Sequence, residues 1–364
     1  MAKVYLNELV GVQESVEDQV FLLNEHQIPI LQYTGFGEPV LDVKHSWFED
    51  STFSFETKLK DDVAAADEEI LVDDTEPFMI GHQIKIDEEL LKVTGVNHTQ
   101  NTLEVERGLH GTEAAAYQKG DTVEVLFREG AEGADAGESR YKARKQVSNI
   151  TQIFDETISV TGTAQAVSLT GIEDLYNYEQ AKKLTELSLQ LEKALVNGQK
   201  YEGQGGTVRQ MRGVRSFIET NVIDAGGNDL TAEILNDAIQ SLFEAGALRS
   251  QTDYKIMVSP SQKRQISRMG AEHVRLERQD NTRGNVVDQL VNDFGTFDFV
   301  INKNLKDNEV FIVDMNRVKV RPLRPFTHEL LSTTGDSVNG TILGEFTLEL
   351  IQEQAHARII GLEV

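Results

Sequence analysis

The sequence predicts an α+β fold with more than one lobe, and three observations carry that prediction. One long amphipathic helical pattern runs from Gly171 to Asn197. Short β-branched runs with no helix among them fill residues 66–128. Strand-like and helix-like patterns then alternate through the last third of the chain. At 364 residues the chain exceeds one ordinary core. Its 39% hydrophobic and 26% charged residues belong to a globular protein rather than a disordered one.

Residues 1–52 mix apolar anchors with turns and hold no long periodic helix. Ile28-Pro29-Ile30, Gly35-Phe36-Gly37 and Glu38-Pro39 keep the backbone extended or turning. Two readings stay open for such a segment: it wraps its own domain, or it is an arm that reaches a neighbouring copy. From residue 66 the strands are Glu69–Val72, Gln83–Ile86, Leu91–Val93, Leu103–Val105 and Thr122–Leu126. Gly81 and Gly120-Asp121 mark tight turns, and Arg107-Gly108-Leu109-His110-Gly111-Thr112 is a Gly-punctuated loop. The Gly- and Ala-rich stretch from Gly130 to Gly137 reads as a flexible exit.

The helix predicted over 171–197 has Thr170 followed by Glu173 as a capping box, and its apolar stripe is Leu175, Tyr178, Leu184, Leu187, Leu191 and Leu195. Asn197-Gly198 ends it. Beyond the Gly203–Gly206 loop, Thr231 caps a helix that stops near Gly246, and Tyr254–Val258 is a strand. Ser259-Pro260 opens a further helix with proline at its favoured first position. Asp298–Ile301, Val310–Val313 and the alternating Phe346–Leu350 are strands.

Charge and motif content narrow the function. The net charge is −25, and residues 1–140 carry 10 Lys and Arg against 30 Asp and Glu, whereas the remainder carries 25 against 30. Such an excess repels phosphates, which argues against tight duplex binding. No apolar run approaches the 18 or so residues a membrane span needs. Without cysteine there is no disulfide and no thiolate metal site. No phosphate loop, nucleophile elbow or His-Glu-x-x-His pair occurs, and the eight histidines stand singly. No cofactor, metal ligand or catalytic residue is predicted. Cations do gather locally. Residues 255–283 hold seven Lys and Arg against three acids, among them Lys263, Arg264, Arg268 and Arg275. Arg317, Lys319, Arg321 and Arg324 nearly line one face at strand spacing. They read either as a nucleic-acid patch or as partners for the acidic first 140 residues of a neighbouring copy.

A train of short blocks adds a family resemblance. Lys44–Asp50, Thr151–Phe154 with Val160–Ala164, the long helix, Met211–Val214, Leu323–Phe326, Thr334–Asp336 and Gly344–Glu349 follow one another in that order. In order and spacing they resemble tailed-bacteriophage major capsid proteins of the Hong Kong 97-like fold, and the Arg107 loop resembles one in small β-domains of phage virion proteins. The resemblance implies an N-terminal arm over 1–52 and an extended loop over 53–147 carrying a β insertion over about 66–128. It implies a peripheral domain over 148–207 whose spine is the 171–197 helix, an axial domain over 208–330, and a return to the peripheral domain over 331–364. The implied function is an icosahedral shell around double-stranded DNA, in the virion and assembled in the host cytoplasm.

The implied partners are other copies of the chain in pentamers and hexamers, a separate scaffolding protein and a portal. DNA contact would be weak and non-specific, and no membrane is involved. Because arm-like sequence follows Met1 directly, no cleaved scaffolding segment is expected, and no covalent crosslink is expected either. Trp47, Asp50, Lys263, Arg264, Arg268, Arg275, Arg321 and Arg324 are the candidate inter-subunit contacts. Trp47, the only tryptophan, anchors the arm in a neighbour's pocket or sits in its own core. Alternatives are an encapsulin-like compartment shell, a tail-tube or decoration protein, and, from another class, an acidic hydrolase. The long helix argues against a tube.

Overall fold

A computed structural model describes residues 28–130, 140–167, 174–203, 205, 207–248, 254–269, 289–332 and 335–364. The chain divides into two compact units, one of residues 48–145 and one of the rest. Helix α1 (Pro29–Thr34) and strand β1 (Lys44–Glu49) lead up to the smaller unit.

The smaller unit is a β-barrel. Its strands are β2 (Glu56–Lys58), β3 (Glu69–Leu71), β4 (His82–Ile86), β5 (Glu89–Asn97), β6 (Thr102–Glu106) and β7 (Thr122–Arg128). They form one sheet in the order β2-β7-β4-β5-β6-β3. The two edge strands meet where Leu59 bridges Val72 and the Lys60 N–H donates to the Leu71 carbonyl at 2.9 Å, which closes the sheet on itself. Alternation then sends Leu59, Ile70, Val72, Ile84, Leu91, Val93, Leu103 and Val123 inward, and all are buried. The strand assignments made from sequence hold. The unit nevertheless begins before residue 66, because β2, only three residues long, is too short to stand out as a strand.

The chain re-enters the larger unit through β8 (Lys145–Ile150), which pairs with β1 in a two-stranded sheet. Next come β9 (Gln152–Thr161), the short α2 (Gly162–Ala166) and the spine helix α3 (Leu175–Asn197). The cap of α3 is Asp174, whose carboxylate accepts from the Tyr176 and Asn177 N–H groups. The helix therefore runs 23 residues, roughly 34 Å, instead of starting at 171, and Thr170 and Glu173 lie outside the described residues. At its far end it needs glycine. A Cβ on Gly213 would fall 2.7 Å from the Ala194 and Leu195 carbonyls, so the Met211–Val214 block can cross the helix terminus only with a bare backbone there.

A ribbon of β10 (Tyr201–Glu202) and β11 (Arg209–Gln210) follows, then α4 (Val214–Phe217), β12 (Val222–Asp224) and α5 (Ala232–Glu244), capped by Thr231 as predicted. The remaining elements are β13 (Tyr254–Val258), α6 (Pro260–Met269), β14 (Gln289–Asn292), β15 (Gly295–Ile301), β16 (Val310–Asp314), β17 (Val318–Leu331), β18 (Ser337–Leu350) and β19 (Ala357–Ile360). They build two sheets. One has the order β12-β19-β16-β13-β15-β14; the other is β17-β18-β9. The β17–β18 hairpin, with 14 residues in each arm, is longer than any strand read from sequence. Pro322 and Pro325 masked the first arm, and register shifts between Pro322 and Thr327 absorb them. The boundary expected at 330/331 falls at this hairpin's tip, so both arms share one sheet, while β19 returns to the other between β12 and β16. Spine helix and three-stranded sheet close one apolar core around Leu187, Leu191, Leu195, Phe346 and Leu348; α5 and the six-stranded sheet close a second around Leu235, Ile239, Ile256 and Phe297.

Candidate interaction surfaces and buried charge clusters

Strand β18 carries the block Gly344-Glu345-Phe346-Thr347-Leu348-Glu349. Its period of two puts both glutamates on one face, four residues apart, and both are buried. Each gathers cations from distant parts of the chain. Glu349 meets the Arg321 guanidinium, the Lys319 ammonium at 3.6 Å and His45 Nε2 at 2.9 Å. Glu345 meets Arg209 at 2.8 Å and Arg324 at 2.9 Å, and accepts the Thr151 hydroxyl at 2.6 Å. Burial opposes charge on both carboxyls. The hydrogen bonds from His45 and Arg321 on one, and from Thr151, Arg324 and Arg209 on the other, outweigh it and hold both below the usual carboxylate range.

The pattern repeats twice. Glu309, buried beside β16, holds the guanidinium groups of Arg215 and Arg358. In the barrel, Arg107 of the Gly-punctuated loop forms a two-pronged bond with Glu89, Nε to Oε1 at 3.0 Å and Nη2 to Oε2 at 2.7 Å. Glu89 also accepts from the Gly108 and Ala115 N–H groups and the Tyr117 hydroxyl. Burial, together with that bond to Glu89, pushes the Tyr117 phenol up to about 12. This loop is a structural knot.

The predicted contact residues separate accordingly. Arg321, Arg324 and Lys319 are engaged within their own hairpin, and Arg317, in the turn before it, pairs with Asp314 at the end of β16. Trp47 lies in the core of its own chain, 9% exposed, its ring 6.1 Å from that of Phe217. Its apolar neighbours come from the same subunit because β1 lays it against α4. Asp50 is exposed and pairs with Arg144 at 3.4 Å. On α6, the Lys263 ammonium stands 5.1 Å from the Phe299 ring. Arg264 and Arg268, one turn apart and exposed, line an open depression of about 510 Å³ with Asp229, Gln262 and Glu363. Arg275 lies outside the described residues.

Sequence reasoning missed Glu192, Glu309, Glu345 and Glu349 as buried centres. A signal existed for the last two: once β17 and β18 are paired, Lys319 and Arg324 stand opposite Glu349 and Glu345, with Arg321 on the diagonal to Glu349. Among the described residues, no three His, Asp or Glu side chains are grouped to hold a metal ion, and no helix is long and apolar enough to cross a membrane.

Residues 3–363 match the family profile described as SU10 major capsid protein. Among solved structures the fold is similar to the capsid of a native GTA particle, with TM-score 0.61, 8% identity, and coverage of 99% of this chain and 98% of that one. It is similar to the capsid of cyanophage A-1(L), with TM-score 0.56, 10% identity, and coverage of 99% and 98%. The capsid of Myoviridae phage XM1 gives TM-score 0.53, 11% identity, and coverage of 96% and 97%. No curated protein matches the chain.

Proposed function

The chain belongs to the SU10 major capsid protein family, and from that premise we propose that copies of it tile an icosahedral shell enclosing the double-stranded DNA of a tailed bacteriophage. The observation that carries this reading is the extent of the match. The family profile runs over residues 3–363, and the capsid folds align with nearly the whole chain. The protein is a structural component of the virion, with a Hong Kong 97-like fold, and it works by assembling with itself.

In this reading α3 and the β17-β18-β9 sheet are the peripheral domain, and the six-stranded sheet with α5 and α6 is the axial domain that meets its copies at five- and six-fold centres. The barrel is an insertion in the extended loop. Closed rings of this kind need heterologous contacts, which complementary charge can align. Asp50, Lys263, Arg264 and Arg268 are the side chains we assign to those contacts, being outside the buried clusters. DNA is touched weakly. A net charge of −25 supports that, and so does the engagement of Arg317, Lys319, Arg321 and Arg324 by carboxylates of their own chain. A separate scaffolding protein and a portal complete the assembly, which takes place in the host cytoplasm and involves no catalytic step by this chain.

Electron microscopy of the purified protein, expressed with and without the neighbouring scaffold gene, tests the reading. Closed shells or rings of five and six subunits are expected. A compact monomer under both conditions overturns it, and shells that package protein instead of DNA redirect it to a cargo compartment.

A further inference from the structure

Glu192 lies on the spine helix and is fully buried, yet among the described residues no cation pairs with it. Its oxygens are taken by donors from two remote segments. The Ile30 N–H donates to Oε1 at 3.0 Å and the Leu31 N–H to Oε2 at 3.2 Å. Asn302 Nδ2 donates to Oε1 at 3.1 Å, and the Asn304 N–H on Asn302 Oδ1 fixes that amide's orientation. Helix α1 depends on these bonds. Its N-cap position is Ile28, which offers no side-chain acceptor, and Pro29 has no N–H. The first N–H groups of α1 are therefore capped by a carboxyl 161 and 162 positions further on.

We propose that Glu192 is a proton-operated joint between residues 28–34 and the spine helix, tight when its carboxyl is protonated and loosened when it ionises. An unpaired charge in such a site is costly, because a buried carboxylate without a cation loses its hydration and gains only dipoles in return. Burial pushes this carboxyl up to about 7, against the opposite pull of the bonds from Ile30, Leu31 and Asn302. The surrounding charges are engaged elsewhere or face away. Helix α1 carries none. Lys255 stands over the Tyr33 ring at 5.4 Å and is paired with Asp298. Arg317, in the turn that packs on α1, is paired with Asp314, and Lys303 beside Asn302 has partners of its own. On α3 itself the adjacent Lys193 is exposed.

The sign follows from linkage. Undocked, the carboxyl titrates near its ordinary value of 4.5; docked, it titrates near 7. Docking is thus strongest below the undocked value, weakens as pH rises towards 7, and is constant above that. The first 27 residues of the chain lead into this joint, so its state sets how firmly their exit point is held. The inference concerns one chain and does not require the shell reading.

Amide hydrogen exchange at Ile30 and Leu31 in the full-length protein, corrected for intrinsic rates, tests it between pH 4.5 and 8.5. The wild-type opening constant is expected to rise by up to about tenfold per pH unit from roughly 4.5 to 7 and then level off. Glu192→Gln, which keeps the acceptor and removes the proton, is expected to give a flat profile. Asn302→Ala removes a donor that favours the charged form, so the levelling point should move to higher pH. A flat wild-type profile, a slope that survives in the Gln variant, or a levelling point unmoved by Asn302→Ala would each overturn the joint.

Discussion

The barrel and the three-stranded sheet solve the same edge problem in opposite ways. The barrel joins its own edges at Leu59 and Val72, which closes the sheet around a single apolar cluster. Among its described residues the buried ion pair, Arg107 with Glu89, ties down a loop rather than the sheet. The β17-β18-β9 sheet stays open, and side chains recruited from far along the chain hold it: His45 and Arg209 reach carboxylates on β18 that lie 304 and 136 positions away. Closure makes a unit self-sufficient. Stapling makes distant segments depend on one another, which suits a surface whose edges other copies can meet.

That contrast can be broken deliberately. The largest effect should come from Glu89→Ala, which strands a nearly buried Arg107 and uncaps the 107–117 loop, at a cost of about 3–5 kcal/mol. Calorimetry should show the barrel's transition falling while the larger unit's stays in place; a joint shift of both would contradict the barrel's self-sufficiency. Glu349→Ala comes next, at about 2–3 kcal/mol, because the cations it releases are more exposed than Arg107 and water recovers part of the loss. Here the larger unit's transition should move, and amide exchange should rise at His45 as well as on β17; a change confined to β18 would show that the staple joins nothing.

Gly340→Ala sharpens the comparison on a smaller scale. A Cβ there lands on the Tyr176 hydroxyl, which is held 2.8 Å from His328 Nε2, so the start of the spine helix must shift, at about 1–3 kcal/mol. Adding Tyr176→Phe should recover part of that loss, and no recovery would place the clash elsewhere. The smallest effect belongs to Arg264→Glu with Arg268→Glu. Both positions are exposed, so the chain's own stability should stay within about 0.5 kcal/mol. Shell yield on sedimentation should nevertheless fall sharply; unchanged yield would remove these two residues from the contact set.

Local pattern made the barrel legible, whereas much of the larger unit was hidden by distance. Period-two alternation and turn glycines marked the barrel strands from β3 to β7, and only the three-residue β2 escaped. The caps at Thr231 and Ser259 were equally plain, since a cap is a contact over three residues. The cations at 319, 321 and 324 stand out at strand spacing, but that spacing reads equally as a nucleic-acid patch or as partners for a neighbouring copy. The acids that hold them lie 21 to 30 positions onward, across a hairpin whose prolines obscured it. Glu192 had no legible signal: it interrupts an apolar face, two of its donors are backbone groups, which leave no trace in residue identity, and the third, Asn302, lies 110 positions away.

The pairing of β1 with β8 bears on how this chain could change over time. Both ends of the inserted barrel leave from one ribbon, already fixed side by side. Closing a loop of any length between two such ends adds little entropic cost, since the cost grows only with the logarithm of the loop's length. The host unit is therefore nearly indifferent to what hangs from that ribbon. It is a socket, and a bare hairpin, a different barrel or a foreign domain could occupy it without redesign of the core behind.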